Sequence, residues 1–297
     1  MRRATCAILS GMTATVLLAL STSLLFGVGD FLGGVATRRD TPYAVTGTSH
    51  LVAMGLLVLA VLFVLPPAHA TELDIAWGML SGLSGVAGVI SLFTALSVGR
   101  MSIVAPISAA LSAALPAVYD LASGTRLPTH TLAGIGLALV AIVIVSIAPD
   151  EQLHEPAHPY RPRLALVLAM LSGVGFSGAF IAFSHTADAS GLVPVLAARA
   201  VSIAVAVLLS VRFGHGFPVD RTALAPSAGA GLTDFLANIT MITAIRLGPL
   251  AIASVLGSLF PVVVVFLARV FLGERLHAWQ RVGVVLAVAA VLLAALP

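Results

Sequence analysis

Four ionisable side chains interrupt a chain otherwise built for an apolar solvent: Asp30, His50, Arg199 and Asp234. Each lies inside a hydrophobic run, where inserting a charge costs about 2.5–3.5 kcal/mol. A group that expensive is either paired with an opposite charge or exposed to a polar cavity. Arg199 can hold an anion or a carboxylate. Asp234 can hold a cation or titrate, since desolvation raises a carboxylate pKa and a nearby Arg lowers it. Asn238 follows Asp234 by four residues, which puts both on one face of a helix.

The elements that carry these residues are set by composition. Only 9% of the 297 residues are charged, and the mean hydropathy is +1.10. A soluble domain carries roughly 25% charge. Crossing a bilayer of about 30 Å takes about 20 apolar residues in a helix rising about 1.5 Å each. The expected class is therefore an all-α membrane protein, because backbone groups in lipid must bond within their own segment. The net charge of +3 and a pI near 9.7 come from arginines scattered singly among loops, so they bear on topology and not on nucleic acid.

Ten spans are expected: Leu17–Ala36, Pro42–Val64, Asp74–Val98, Met101–Tyr119, Thr129–Ala148, Arg163–Ser184, Leu192–Phe213, Ala225–Ile245, Pro249–Phe271 and His277–Ala295. The N-terminal apolar run is read as a first membrane helix and not as a cleaved signal, with Met12 as an alternative start. Residues 149–162 form a polar linker that separates five spans from five.

Sliding the chain by 149 residues aligns Phe93–Ser146 with Ile242–Ala295 without a gap. Gly124-x-Arg126-Leu127 with Gly134 falls on Gly273-x-Arg275-Leu276 with Gly283. The expected units are residues 13–148 and 163–296. Because five is odd, the second unit must cross the membrane in the opposite sense. Inverted repeats of this kind build transporters around a site at the repeat interface.

The run Phe271-Leu272-Gly273-Glu274-Arg275-Leu276, then Gly283 and a last apolar helix, resembles the C-terminal signature of the EamA family in the drug/metabolite transporter superfamily. Thr125 stands in the first copy where the second has Glu274. The resemblance implies ten helices, a central substrate cavity, export or exchange of small metabolites, and both termini in the cytoplasm. The arginine count points the other way. An inside N-terminus leaves Arg2, Arg3, Arg126 and Arg246 inside and ten arginines outside, against the positive-inside rule.

Depth along the spans pairs the ionisable residues. Asp30 and His50 each lie about 10–12 Å below one membrane face, so an Asp30–His50 pair across the first hairpin is expected. His50 maps onto Arg199 under the 149-residue shift. Arg199 at about 12 Å and Asp234 at about 18 Å from opposite faces are level, so Arg199, Asp234 and Asn238 can meet at mid-membrane. The pair is either a structural bridge or part of a cavity. Asp30, His50, Arg199, Asp234 and Asn238 are the candidate substrate-binding residues.

Two function classes fit these residues. A secondary transporter in the cell membrane would use Arg199 for an anionic group and Asp234 for a cationic one. No Walker motif supplies ATP drive. An intramembrane aspartyl protease would use Asp30 in Gly27-Val28-Gly29-Asp30 and Asp120 in Tyr119-Asp120, sharing a proton. The order of the two motifs is reversed, and Asp120 falls at a helix end. No cofactor or metal is expected, and a single cysteine, Cys6, excludes an intrachain disulfide. The expected partners are the lipid bilayer and a small-molecule substrate, with a coupling proton and a second copy of the chain as options.

Gly78, Gly82, Gly85 and Gly88 form a small-residue stripe, read first as a packing surface. Pro106, Pro116 and Pro261 can bend their helices. Glu274 is read as a solvated cap or a partner for Arg275, and His154 and His158 as solvated. Ten crossings put both termini on one side. Reporter fusions at either end, active on one side only, should therefore agree; opposite signals would remove a helix and break the repeat.

Overall fold

The computed structural model describes residues 2–37, 39–63, 68–98, 101–146, 161–213, 220–272 and 278–294. Within them run eleven α-helices and a 3-10 turn, with no strand among the described residues. The helices are α1 (Arg2–Thr37), α2 (Pro42–Phe63), α3 (Glu72–Val98), α4 (Met101–Ala122), α5 (Thr129–Ser146), α6 (Pro162–Ser184), α7 (Val193–Arg212), α8 (Arg221–Leu247), α9 (Leu250–Gly257), α10 (Phe260–Leu272) and α11 (Ala278–Ala294). Six are long and apolar enough to cross a membrane, and four shorter apolar helical stretches accompany them. The chain is a multi-pass integral membrane protein. Residues 149–160 of the polar linker, His154 and His158 among them, and the Glu274–Arg275 loop lie outside the described residues.

Side-chain distribution follows from the solvent. Leu17, Leu62, Phe63, Val211 and Trp279 point outward and are exposed, as lipid-facing residues should be. The interior is dominated by Ala with Ser and Thr. Lipid tails offer no hydrophobic drive for helix association, so close van der Waals approach through small residues takes its place.

Two helices start earlier than expected, α1 at Arg2 and α8 at Arg221, and one expected span is interrupted. The ninth is broken into α9 and α10 at Ser258–Leu259. Pro261 lacks the N–H that would bond the Gly257 carbonyl, so the α-helical ladder stops there. Leu259 and Val262 instead donate to carbonyls three residues back, those of Leu256 and Leu259. By contrast α4 runs unbroken through Pro106 and Pro116. All of α9 is buried, packed on α1, α4, α5 and α8. Asp120, at the end of α4, accepts from the Ala251 N–H at 2.8 Å and so caps the first turn of α9.

Consecutive helices are seldom the packing partners. Helix α1 packs mainly on α8 and the α9–α10 segment; α3 packs on α6 and α7; α2 on α7 and α8; α4 on α6 and α9; α5 on α11. The closest crossings rest on glycine. A Cβ at Gly82 would overlap the Ala198 backbone, and one at Gly231 would overlap the Ser49 backbone. A Cβ at Gly29 would fall 2.8 Å from Thr233 Oγ1, and one at Gly178 would fall 3.1 Å from Ser84 Oγ. Within the small-residue stripe, Gly78 and Gly82 face α7 while Gly85 and Gly88 face α6, so the packing reading accounts for the stripe.

Overpacking a tight contact costs about 1–3 kcal/mol. Gly82→Ala and Gly231→Ala should each lower the melting temperature of purified protein. Gly136→Ala, where a Cβ meets nothing within 4 Å, should leave it unchanged or slightly raised. Equal stability of all three variants would contradict the crossing geometry.

Candidate functional site

The glycine crossings fix the ionisable residues, because each charged position adjoins one. Gly29 sits against Thr233, which sets Asp30 beside Asp234. Ser49 sits against Gly231, and Ala198 against Gly82, which set His50 and Arg199. Four helices, α1, α2, α7 and α8, thereby deliver one residue each to a common region.

The expected Arg199–Asp234 pair is present. Arg199 Nη2 lies 2.7 Å from Asp234 Oδ2, with side-chain exposures of 10% and 20%. The approach has ion-pair distance without hydrogen-bond alignment. Asn238 Nδ2 donates to Asp234 Oδ1 at 3.1 Å and to the Asp234 carbonyl at 2.8 Å. Asp234 is thus held by its own helix on one oxygen and by α7 on the other.

The expected Asp30–His50 pair is absent. No hydrogen bond or ion pair joins these two among the described residues. Asp30 instead feels the Asp234 carboxylate, and His50 feels the Arg199 guanidinium. The reason is azimuth: α1 and α2 share depth but turn toward α8 and α7 and pack little on each other. His50 is buried, and its Nδ1 has no hydrogen-bond partner. The protease geometry is absent too. Asp120 is engaged by Ala251 N–H and by Thr125 Oγ1 at 2.8 Å, on the end of α4, and does not face Asp30.

A second polar cluster went unread in the sequence. It lies where α3 and α9 begin and α4, α6 and α8 end. Arg246 donates to the carbonyls of Gly191 at 2.9 Å and Ala187 at 3.0 Å, and to Ser190 Oγ at 3.0 Å. Asp74 accepts from Ala187 N–H at 2.7 Å and from Thr71 Oγ1 at 2.6 Å. His185 stacks on Trp77, with centroids 4.5 Å apart, and meets Tyr119 Oη at 2.7 Å through Nε2. These bonds pin the α6–α7 loop, whose Gly191 adopts a positive φ of 53°. At the other end Asp40 accepts from Asp220 N–H at 2.7 Å, Arg39 donates to the Thr222 carbonyl at 2.8 Å, and Tyr43 stacks on Phe213. Half of these partners are backbone atoms, which leave no mark in a sequence.

An apolar crevice of about 190 Å³ lies between α1, α10 and α11, lined by Ser23, Leu24, Val263, Val284 and Val288 among others. It contains none of the candidate residues. Among the described residues, no His, Cys, Asp and Glu cluster could hold a metal ion.

A solved protein crystal structure superposes on the chain with a TM-score of 0.74 at 18% identity, covering 94% of this chain and 96% of that one. At that identity the likeness speaks for the fold alone. No curated protein matches the sequence. Residues 163–296, the second unit drawn from the internal repeat, match the EamA-like transporter family, which bears out the resemblance read from Phe271–Leu276 and Gly283 and is consistent with the drug/metabolite transporter superfamily.

Proposed function

We propose that this chain is a secondary transporter of small metabolites, an exporter or exchanger, working by alternating access between two inverted five-helix repeats in the cell membrane. The family match of residues 163–296 supports transport as the class. The repeat is supported by one observation above others: the helix crossings come in couples related by the 149-residue offset. Gly82 on Ala198 corresponds to Gly231 on Ser49, and Gly178 on Ser84 corresponds to Gly29 on Thr233. The packing of α3 on α6 likewise corresponds to α8 on α1, and α3 on α7 to α8 on α2. A chance resemblance between halves would not reproduce contacts residue by residue.

Residues 13–148 and 163–296 are then the two moving bodies, with α9 and α10 together forming the fourth span of the second. In such folds a site between the repeats stays near the midplane while one repeat rocks against the other. The cluster of Asp30, His50, Arg199, Asp234 and Asn238 is drawn from α1 and α2 of one repeat and α7 and α8 of the other. It therefore joins the surfaces that would move.

The roles of Arg199 and Asp234 separate by mutation. Removing one member of a buried pair costs about 3–5 kcal/mol because the other charge is left unpartnered. Asp234→Asn should therefore lower both the yield and the melting temperature. The double variant Arg199→Leu/Asp234→Leu should recover folding, and its transport in proteoliposomes should fall at least tenfold. Transport at the normal rate by the well-folded double variant would remove the pair from the site.

A further inference from the structure

Asp30 lies on the inward side of α1. At about 100° per residue it shares a stripe with Ala19 and Ser23, both buried, and it is more than 100° round the helix from the lipid-exposed Leu17 and Leu24. Its side chain is nevertheless exposed. A residue that faces inward and remains exposed looks into space between helices.

Among the described residues the charge around that space is unbalanced. Helices α8, α9, α10 and α2 pack against α1. From α8 comes Asp234, which is bound to Arg199 of α7; from α2 comes His50; α9 has no ionisable residue, and none on α10 has a described side chain. The one guanidinium of the cluster is paired with the one carboxylate it touches. Asp30 is left with a second carboxylate as its charged neighbour and with no cation among the described residues.

The other half of the molecule provides an internal control. Under the 149-residue offset, Asp30 corresponds to Ala179 and Asp234 to Gly85. Those two meet across α6 and α3, a Cβ at Gly85 falling 3.7 Å from that of Ala179. That crossing closes with no charge at all. Packing of α1 on α8 therefore does not require Asp30, and a different demand keeps a carboxylate there.

Resting on the transporter reading, we propose that Asp30 is the cation-binding residue of the cavity and that the cargo is a small protonated amine without a carboxylate. An ammonium group gives Asp30 charge-assisted hydrogen bonds and offsets the negative potential of two neighbouring carboxylates. A cargo carboxylate would find the Arg199 guanidinium already engaged by Asp234. Organic acids are thus disfavoured outright, and amino acids are disfavoured relative to the amines that lack their carboxylate.

The test uses matched probes in proteoliposomes of the full-length protein. Vesicles are loaded with equal amounts of tyramine, tyrosine and 4-hydroxyphenylpropionate, and in a second set with ethanolamine, serine and glycerate. Efflux is followed by mass spectrometry against protein-free vesicles at a pH where the amines are charged. The expected result is efflux of the amine at least tenfold faster than its acid-bearing counterparts. Asp30→Asn should lose at least tenfold of that rate with an unchanged melting temperature, and Asp30→Glu should retain part of it. Tetramethylammonium, which cannot shed a proton, should inhibit the wild type and not Asp30→Asn. Faster movement of tyrosine, serine or the acids would overturn the inference. So would normal amine transport by Asp30→Asn, or an Asp30→Asn effect confined to the pH profile of an uncharged cargo. If no probe moves while other compounds of a whole-metabolite extract do, the amine assignment fails and transport stands. If nothing in the extract moves, the transporter reading itself fails.

Discussion

Helices in lipid must be held together without a hydrophobic drive, and this chain meets that constraint with backbone-to-backbone contact. Gly82 against Ala198 and Gly231 against Ser49 allow approaches that any Cβ would block. Ser81, next to Gly82, and Ser177 and Thr22 elsewhere add hydrogen bonds between helices, to the Ala179 carbonyl, the Leu111 carbonyl and Thr240 Oγ1. Because the crossings are this close, their register along each helix is fixed to the residue. The ionisable side chains lie one position from these contacts, so the packing also sets the electrostatics.

That coupling explains why a costly set of charges is kept at one depth. Arg199 and Asp234 bridge α7 and α8, while Asp30 and His50 come from α1 and α2. The bridge is internally neutral and braced by Asn238. Asp30 is not part of it and stays accessible. Polar latches stand at both ends of the bundle. Arg246 and Asp74 hold the α6–α7 loop, and Asp40 and Arg39 hold the approach to α8.

Much of this was legible in the sequence because bilayer thickness fixes span length. Eight of the helix starts fall within two residues of those drawn from hydropathy, and the depth of Arg199 and Asp234 could be counted at about 1.5 Å per residue. Depth carries no information about azimuth. Depth alone therefore matches Asp30 to His50, whereas helix packing turns them to Asp234 and Arg199. The broken ninth span was half visible: Pro261 marked a bend, but the break falls before it, where the Gly257 carbonyl loses its donor. The cluster around Arg246, Asp74 and His185 was hidden because it joins loop backbone atoms, which every sequence has, to side chains from distant helix ends.

Alternating access requires Asp30 to face a space that opens to water from each side in turn. A single-cysteine protein, Cys6→Ser with Asp30→Cys, can be probed with a membrane-impermeant thiol reagent in sealed vesicles of each orientation. Position 30 should be labelled from both sides. Cysteines at the lipid-facing Leu24 and the buried Ala19 should resist it. Protection of position 30 from both sides, to the same degree as Leu24, would contradict the cavity and with it the reading of this chain as an alternating-access transporter.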